Sequence, residues 1–368
     1  MRPWAALLLL CGCIPAHAVE RSRAPDTRAS GSQAAAVIPG YRLEFPRDHG
    51  SHEGFRTEWW YVTGWLHPAH GAALGFQITF FRSRTDSALL GQNPSAFSPA
   101  QLLIAHAAIS DPGSGRLAQD QRIARAGFGL AQASERDTAV FIDDWHLQRT
   151  AGSYQADIQA DAFSLHLSMR SVQAPLLNGV QGYSRKSPNP ASASYYYSIP
   201  HLRVSGSVAR DAHDEAVTGE AWLDHEWSSE YLDADARGWD WVGLNFDDGS
   251  TLMAFRIRAA NGSTRWAGGT LRAPDGGART LEPQEIDFKP VQYWRSPRTG
   301  VTYPVGWHLR AGEREMDLSP LMPDQENDTR ATTGAIYWEG AVRALHAGHE
   351  LGRGYLELTG YGENLQLP

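Results

Sequence analysis

From Tyr41 onward, apolar and polar residues alternate with a period of two, the pattern of strands with one buried face. In "ALGFQITFF", Leu74, Phe76, Ile78 and Phe80 share a face. "AFSLHLSMR" sets Leu165, Leu167 and Met169 against Ser164, His166 and Ser168. "QLLIAHAAISD" carries small or apolar residues on both faces, with His106 beside Ile104 and Ala108. "DWVGLNFDDGSTLMAFRIR" reads as two strands about a "DDGS" turn, a strong hairpin signal. Later strands are expected in "STRWAGGTLRA", "GWHLRAG", "GAIYWEGAVRAL" and "RGYLELTGYG". Helical periodicity is nearly absent, and 36 Gly and 21 Pro punctuate the strands at short intervals. Such a chain is all-β, a sandwich or a barrel. Two blocks emerge, residues 41–232 and 233–368, whose lengths fit two tandem antiparallel β-barrels. No internal repeat of roughly 20–50 residues marks a propeller.

The N-terminal segment breaks this pattern. Arg2 gives a short positive start, Trp4 to Ile14 is apolar, and "AHA" (Ala16 to Ala18) is a small-x-small cleavage site. These features predict a secretory signal peptide over residues 1–18, too short to span a bilayer. "LCGC" (Leu10 to Cys13) offers a competing reading, a lipobox with Cys13 lipidated. Either way the expected location is periplasmic or secreted. Residues 19–40 lack hydrophobic period and read as a flexible leader. Membrane contact is expected only if Cys13 carries lipid, on a tether reaching roughly 30 Å. Both cysteines lie in this segment, so no disulfide is expected in the mature domains. A net charge of -8 without a basic stretch argues against nucleic acid as a partner. Thirteen Trp suit cavity walls and interfaces.

"LDHEWSSE" concentrates the candidate chemistry. In a strand, Leu223, His225 and Trp227 share one face, while Trp222, Asp224, Glu226 and Ser228 share the other. The first set is the more apolar and is expected to point inward. Asp224 and Glu226 then face solvent, or the second barrel. In "EWWYVTGWL", Glu58, Trp60, Val62 and Leu66 alternate with Trp59, Tyr61, Thr63 and Trp65. Desolvation beside Trp60 would raise the Glu58 pKa, as an acid catalyst requires. The competing reading is an ion pair to Arg56 or Arg82. "GWDWVGLNF" places Asp240 with Val242 and Leu244, a second candidate for a raised-pKa acid, and turns Trp239 and Trp241 the other way. "HPAH" and "HAGH" sit at expected turns without acid partners, so no metal and no cofactor are expected. No G-x-S-x-G occurs, which argues against ordinary serine hydrolysis.

"TEWWYVTGWL", "GFQITFFR", "AHAAISD", "GEAWLDHEWSS" and "GAIYWEGAV" together resemble the AttH-like and carotenoid 1,2-hydratase-like proteins. The resemblance covers nearly the whole mature chain. It implies two tandem lipocalin-like barrels around an apolar ligand, and it points to the His225 and Trp227 pair. Hydration of a C=C is one implied activity. Glu58 or Asp240 would be the acid, and His225 the base that positions water. Trp60, Trp227, Trp239, Trp241, Tyr61 and His106 would wall the ligand and favour a carbocation. Family members beside ABC-export components imply the alternatives of a non-catalytic carrier and a transporter permease as partner. A cyclase-like template is a third option. One departure stands out: "LMAFRIR" has no carboxylate where the hydratases carry Tyr-x-Asp, which weakens the carotenoid reading.

Overall fold

The computed structural model describes residues 34–85, 99–210 and 213–362. The expected signal peptide, both cysteines and most of the expected leader lie outside these residues. Gln33–Pro368 forms one compact unit. Its described residues form two antiparallel sheets of 13 and 10 strands. Among the described residues the helical elements are the 3-10 turns Arg47–His49 and Pro283–Glu285. No described helix is long and apolar enough to cross a membrane.

The first sheet runs from Thr57–Pro68 to His213–Glu230, and the second from Ala236–Phe246 to His349–Leu358. At the centre of the first, Thr57–Pro68 lies between Leu74–Arg84 and His213–Glu230, which pairs onward with Ala193–Arg210. The sheet curls until its outer strands meet. The Arg122 guanidinium spans that closing gap to Asp144 and the Gln159 carbonyl, and stacks over Trp145 at 4.7 Å. Trp60, Val62, Phe76, Ile78, Leu223 and Trp227 fill the interior with almost no exposure. At the centre of the second sheet, Ala236–Phe246 pairs with His349–Leu358, which pairs with Ala335–His346. Val242, Leu244, Trp307, Trp338 and Leu356 form its separate core. The architecture is the expected all-β pair of lipocalin-like barrels.

Period-two alternation gives each central strand two faces, and here both are buried. The outer faces of the two sheets meet in a third cluster that includes Tyr61, Trp65, Tyr196, Trp222, Trp241 and Tyr355. Hydrogen bonds cross the seam from Trp65 Nε1 to the Gly354 carbonyl (3.1 Å) and from Trp241 Nε1 to the Tyr196 hydroxyl (2.9 Å). Gly75 permits the approach: a Cβ there would lie 2.8 Å from the Ala341 Cβ. Aromatic content on both faces of "EWWYVTGWL" thus has a physical cause, because one face fills a barrel and the other builds the seam.

Candidate active site

Strand parity divides the sequence-derived candidates between two environments. His225, Trp227, Glu58 and Trp60 point into the first barrel. Glu58 is opposite Arg82 on one neighbour and opposite Trp227 on the other. Its carboxylate accepts from Arg82 Nε (2.8 Å), His52 Nδ1 (2.7 Å) and His225 Nε2 (2.9 Å). Burial alone would raise its pKa, but the charges of His52 and Arg82 and the histidine hydrogen bonds hold it well below the usual value. The raised-pKa acid expected at Glu58 is therefore corrected to an ion pair, and Arg82 is the partner.

His225 has no exposure, and burial lowers its pKa. Donation from Nε2 to Glu58 leaves Nδ1 to accept from the Tyr197 hydroxyl at 3.1 Å. Tyr197 in turn accepts from His49 Nδ1 at 2.7 Å. Trp60 stacks on His225 (4.7 Å) and Trp227 on His52 (3.6 Å). His225, Trp60 and Trp227 do not line the seam cavity described below. The expected water-positioning base and two expected ligand walls are thus parts of a closed hydrogen-bonded core. His52, Glu58 and His225 also bring donor atoms within 4.8 Å of one another, a spacing that could hold a metal. The Arg82 charge on Glu58 opposes a cation there.

Asp240 points into the second barrel with no exposure. It accepts from Arg256 Nε (2.6 Å), Arg258 Nε (3.1 Å) and the Tyr361 hydroxyl (2.9 Å). Two guanidiniums and a tyrosine hydroxyl already occupy its oxygens inside the second barrel, away from the seam cavity, so the acid role expected for Asp240 is also corrected.

The other candidates converge on a cavity in the seam. Asp224, Glu226, Tyr61, His106, Trp239 and Trp241 all line it. Asp224 and Glu226 therefore face the second barrel and not solvent. Asp224 lies opposite Tyr61, and Glu226 opposite Trp59. Burial pushes Asp224 up to about 7 against hydrogen bonds from Ser198, Tyr196 and Trp222, with the Glu226 charge adding to the rise. Glu226 is raised by burial, opposed by the Lys186 ammonium 2.7 Å away. Burial pushes the other way on Lys186, lowering its pKa. Its ammonium sits against the rings of Tyr196, Tyr231 and Phe255 at 4.4–5.0 Å.

The second barrel adds Glu339 and Glu357, directly opposite one another on neighbouring strands. Like charges at facing positions repel, so one carboxyl keeps its proton. Burial, and then the charge of Glu357, hold Glu339 well above the ordinary value. Burial raises Glu357 against a 3.0 Å hydrogen bond from Trp239 Nε1. Besides Glu58, whose carboxylate is tied to Arg82, four acids thus line one aromatic cavity. Its volume is about 90 Å³, less than the roughly 150 Å³ of an apolar cavity that takes up benzene. Side chains must rotate to admit even one isoprene end.

Sequence reasoning missed Glu339, Glu357, Tyr231 and Lys186. Parity in "GAIYWEGAV" sets Tyr337 with Glu339, and in "GYLELTG" it sets Tyr355 with Glu357. An acid alternating with an aromatic in mid-strand was the available signal. Lys186 lies in a Pro/Ser-rich loop and gives none.

A family model described as AttH-like matches residues 36–361. The crystal structure of a protein described as AttH from Nitrosomonas europaea superposes with a TM-score of 0.83 at 51% identity, over 89% of this chain and 99% of that one. Kievitone hydratase from Nectria haematococca superposes with a TM-score of 0.65 at 12% identity, over 90% and 97%. At that identity the second likeness speaks for the fold. No protein with a curated description matches the chain.

Proposed function

We propose that this chain, which belongs to the AttH-like family, adds water to a C=C of an apolar isoprenoid-type molecule held in the seam cavity. The observation that carries the reading is the facing pair Glu339 and Glu357, a carboxylic acid kept protonated inside an aromatic cavity. Glu339 gives its proton to the less substituted alkene carbon. A C–H bond forms and the π bond breaks, leaving a tertiary carbocation. The faces of Trp239, Trp241 and Tyr61 stabilise that charge. Water donates an oxygen lone pair to the cation, and its surplus proton passes to the Asp224 carboxylate. With a pKa of about 7, Asp224 can accept a proton near neutrality and release it again. The proton returns to Glu339 along the carboxyl row, so the net change is addition of one water. Export to the periplasm belongs to this proposal and rests on the leader.

The test is incubation of the purified protein with prenyl-terminated compounds in ¹⁸O-labelled water, followed by mass spectrometry. Uptake of one labelled water is expected, and Glu339→Gln should reduce it at least about 100-fold, the usual scale of general acid catalysis. Its pH profile should show an acidic limb near 7. A ligand retained but chemically unchanged would replace this reading with a carrier, serving for example an ABC export system. Full turnover in Glu339→Gln would remove the assigned acid.

A further inference from the structure

The wall beside Glu339 is not hydrocarbon. Its polarity can be traced atom by atom. Gln121 Nε2 donates to the Asp328 carbonyl at 2.9 Å, which fixes the orientation of the amide. Gln121 Oε1 therefore accepts from the Thr332 hydroxyl at 2.7 Å. Thr332 Oγ1, its proton committed, accepts from His106 Nε2 at 3.0 Å. Burial pushes His106 down to about 3, so the ring is neutral and its Nδ1 carries a lone pair. The Tyr337 hydroxyl donates to that lone pair at 3.0 Å. Tyr337 thus has no proton left for the other groups around it.

Gln77 faces this spent hydroxyl. Its Nε2 lies 3.5 Å from the Tyr337 oxygen and 2.8 Å from Thr79 Oγ1. Turning the amide round would exchange these two donations for a single one from the Thr79 hydroxyl and set Oε1 against the spent Tyr337 oxygen. In the orientation that keeps both donations, Gln77 Oε1 has no donor, although the residue is only 1% exposed. Glu339 Oε1 and the Tyr61 hydroxyl are also buried, and each is the polar neighbour of the other. Tyr61, Gln77 and Glu339 all line the cavity. A buried acceptor left unpaired is destabilising, and a pure hydrocarbon ligand would leave it unpaired.

We propose that the ligand of this cavity is an oxygenated isoprenoid, an alcohol whose hydroxyl donates to Gln77 Oε1 and meets the Tyr61 hydroxyl. This rests on the seam cavity being the binding site of the proposed hydration. It narrows the substrate class from polyene hydrocarbons to hydroxylated ones. His106, which lines the cavity, also fixes the Tyr337 hydroxyl.

The experiment compares geraniol with 2,6-dimethylocta-2,6-diene, which has the same carbon skeleton and prenyl end without the hydroxyl. Binding is read by quenching of tryptophan fluorescence in the wild-type chain, Tyr61→Phe and Gln77→Leu. The alcohol should bind at least about tenfold more tightly to wild type, and both variants should erase most of that ratio. Tyr61→Phe removes one hydroxyl and keeps the ring, so it reports even if Gln77→Leu folds poorly. Equal affinities, or a preference that survives both substitutions, would overturn this inference and leave the hydration proposal standing. Binding of neither compound would overturn both.

Discussion

Asp224→Asn isolates the cost of ionising a carboxyl in the seam. Asp224 is 3% exposed, and burial raises its pKa from 3.8 to about 7. Between those values the folded protein holds a proton that the unfolded chain has released. Stability therefore falls as pH rises through this window and levels off above about 7. At about 1.4 kcal/mol per unit, the span from pH 5 to the plateau corresponds to about 2–3 kcal/mol. Asparagine does not titrate, so the variant escapes this loss. It has a fixed penalty instead, since its amide nitrogen cannot accept from the Tyr196 hydroxyl, now 2.7 Å from Oδ2. Losing that hydrogen bond costs about 1 kcal/mol at any pH. Asp224→Asn should thus be less stable than wild type at pH 5 and more stable at pH 8.5. Urea unfolding of both proteins at the two pH values measures this directly. A stability difference between variant and wild type that stays constant to within about 0.5 kcal/mol would mean that Asp224 ionises as an ordinary aspartate, and the acid–base reading of the cavity would lose its base.

Glu58→Gln should destabilise the fold by about 3–5 kcal/mol, because it strands the fully buried Arg82 guanidinium opposite a neutral amide; an unchanged urea midpoint would refute the ion-pair assignment. His52 responds to pH in its own sense. Burial lowers its pKa, but Glu58 and Asp48 outweigh that and raise it above 6.5. Its stabilising contribution is complete below pH 6.5 and fades as pH climbs through the folded value, so His52→Gln should cost more stability at pH 6 than at pH 9.5. A larger loss at the alkaline end would contradict the pairing.

The letters alone determined the local geometry of this protein. Alternation along "ALGFQITFF" and "EWWYVTGWL" fixed which side chains share a face, since side-chain direction in a strand follows from covalent geometry. That argument correctly separated His225 and Trp227 from Asp224 and Glu226, and Glu58 from Tyr61. It could not say what each face meets. The tertiary structure decided that the apolar His225 face closes into a hydrogen-bonded barrel core, and that the acidic face, which looked fit for water, is covered by a second barrel. Burial and neighbouring charge set a pKa, and both come from strands far apart in sequence. Glu58 is held ionised by His52 and Arg82, whereas Glu339 keeps its proton because of burial and then of Glu357, which stands opposite on the next strand. Only the packing of one sheet against the other brought Asp224 and Glu339 to the same cavity.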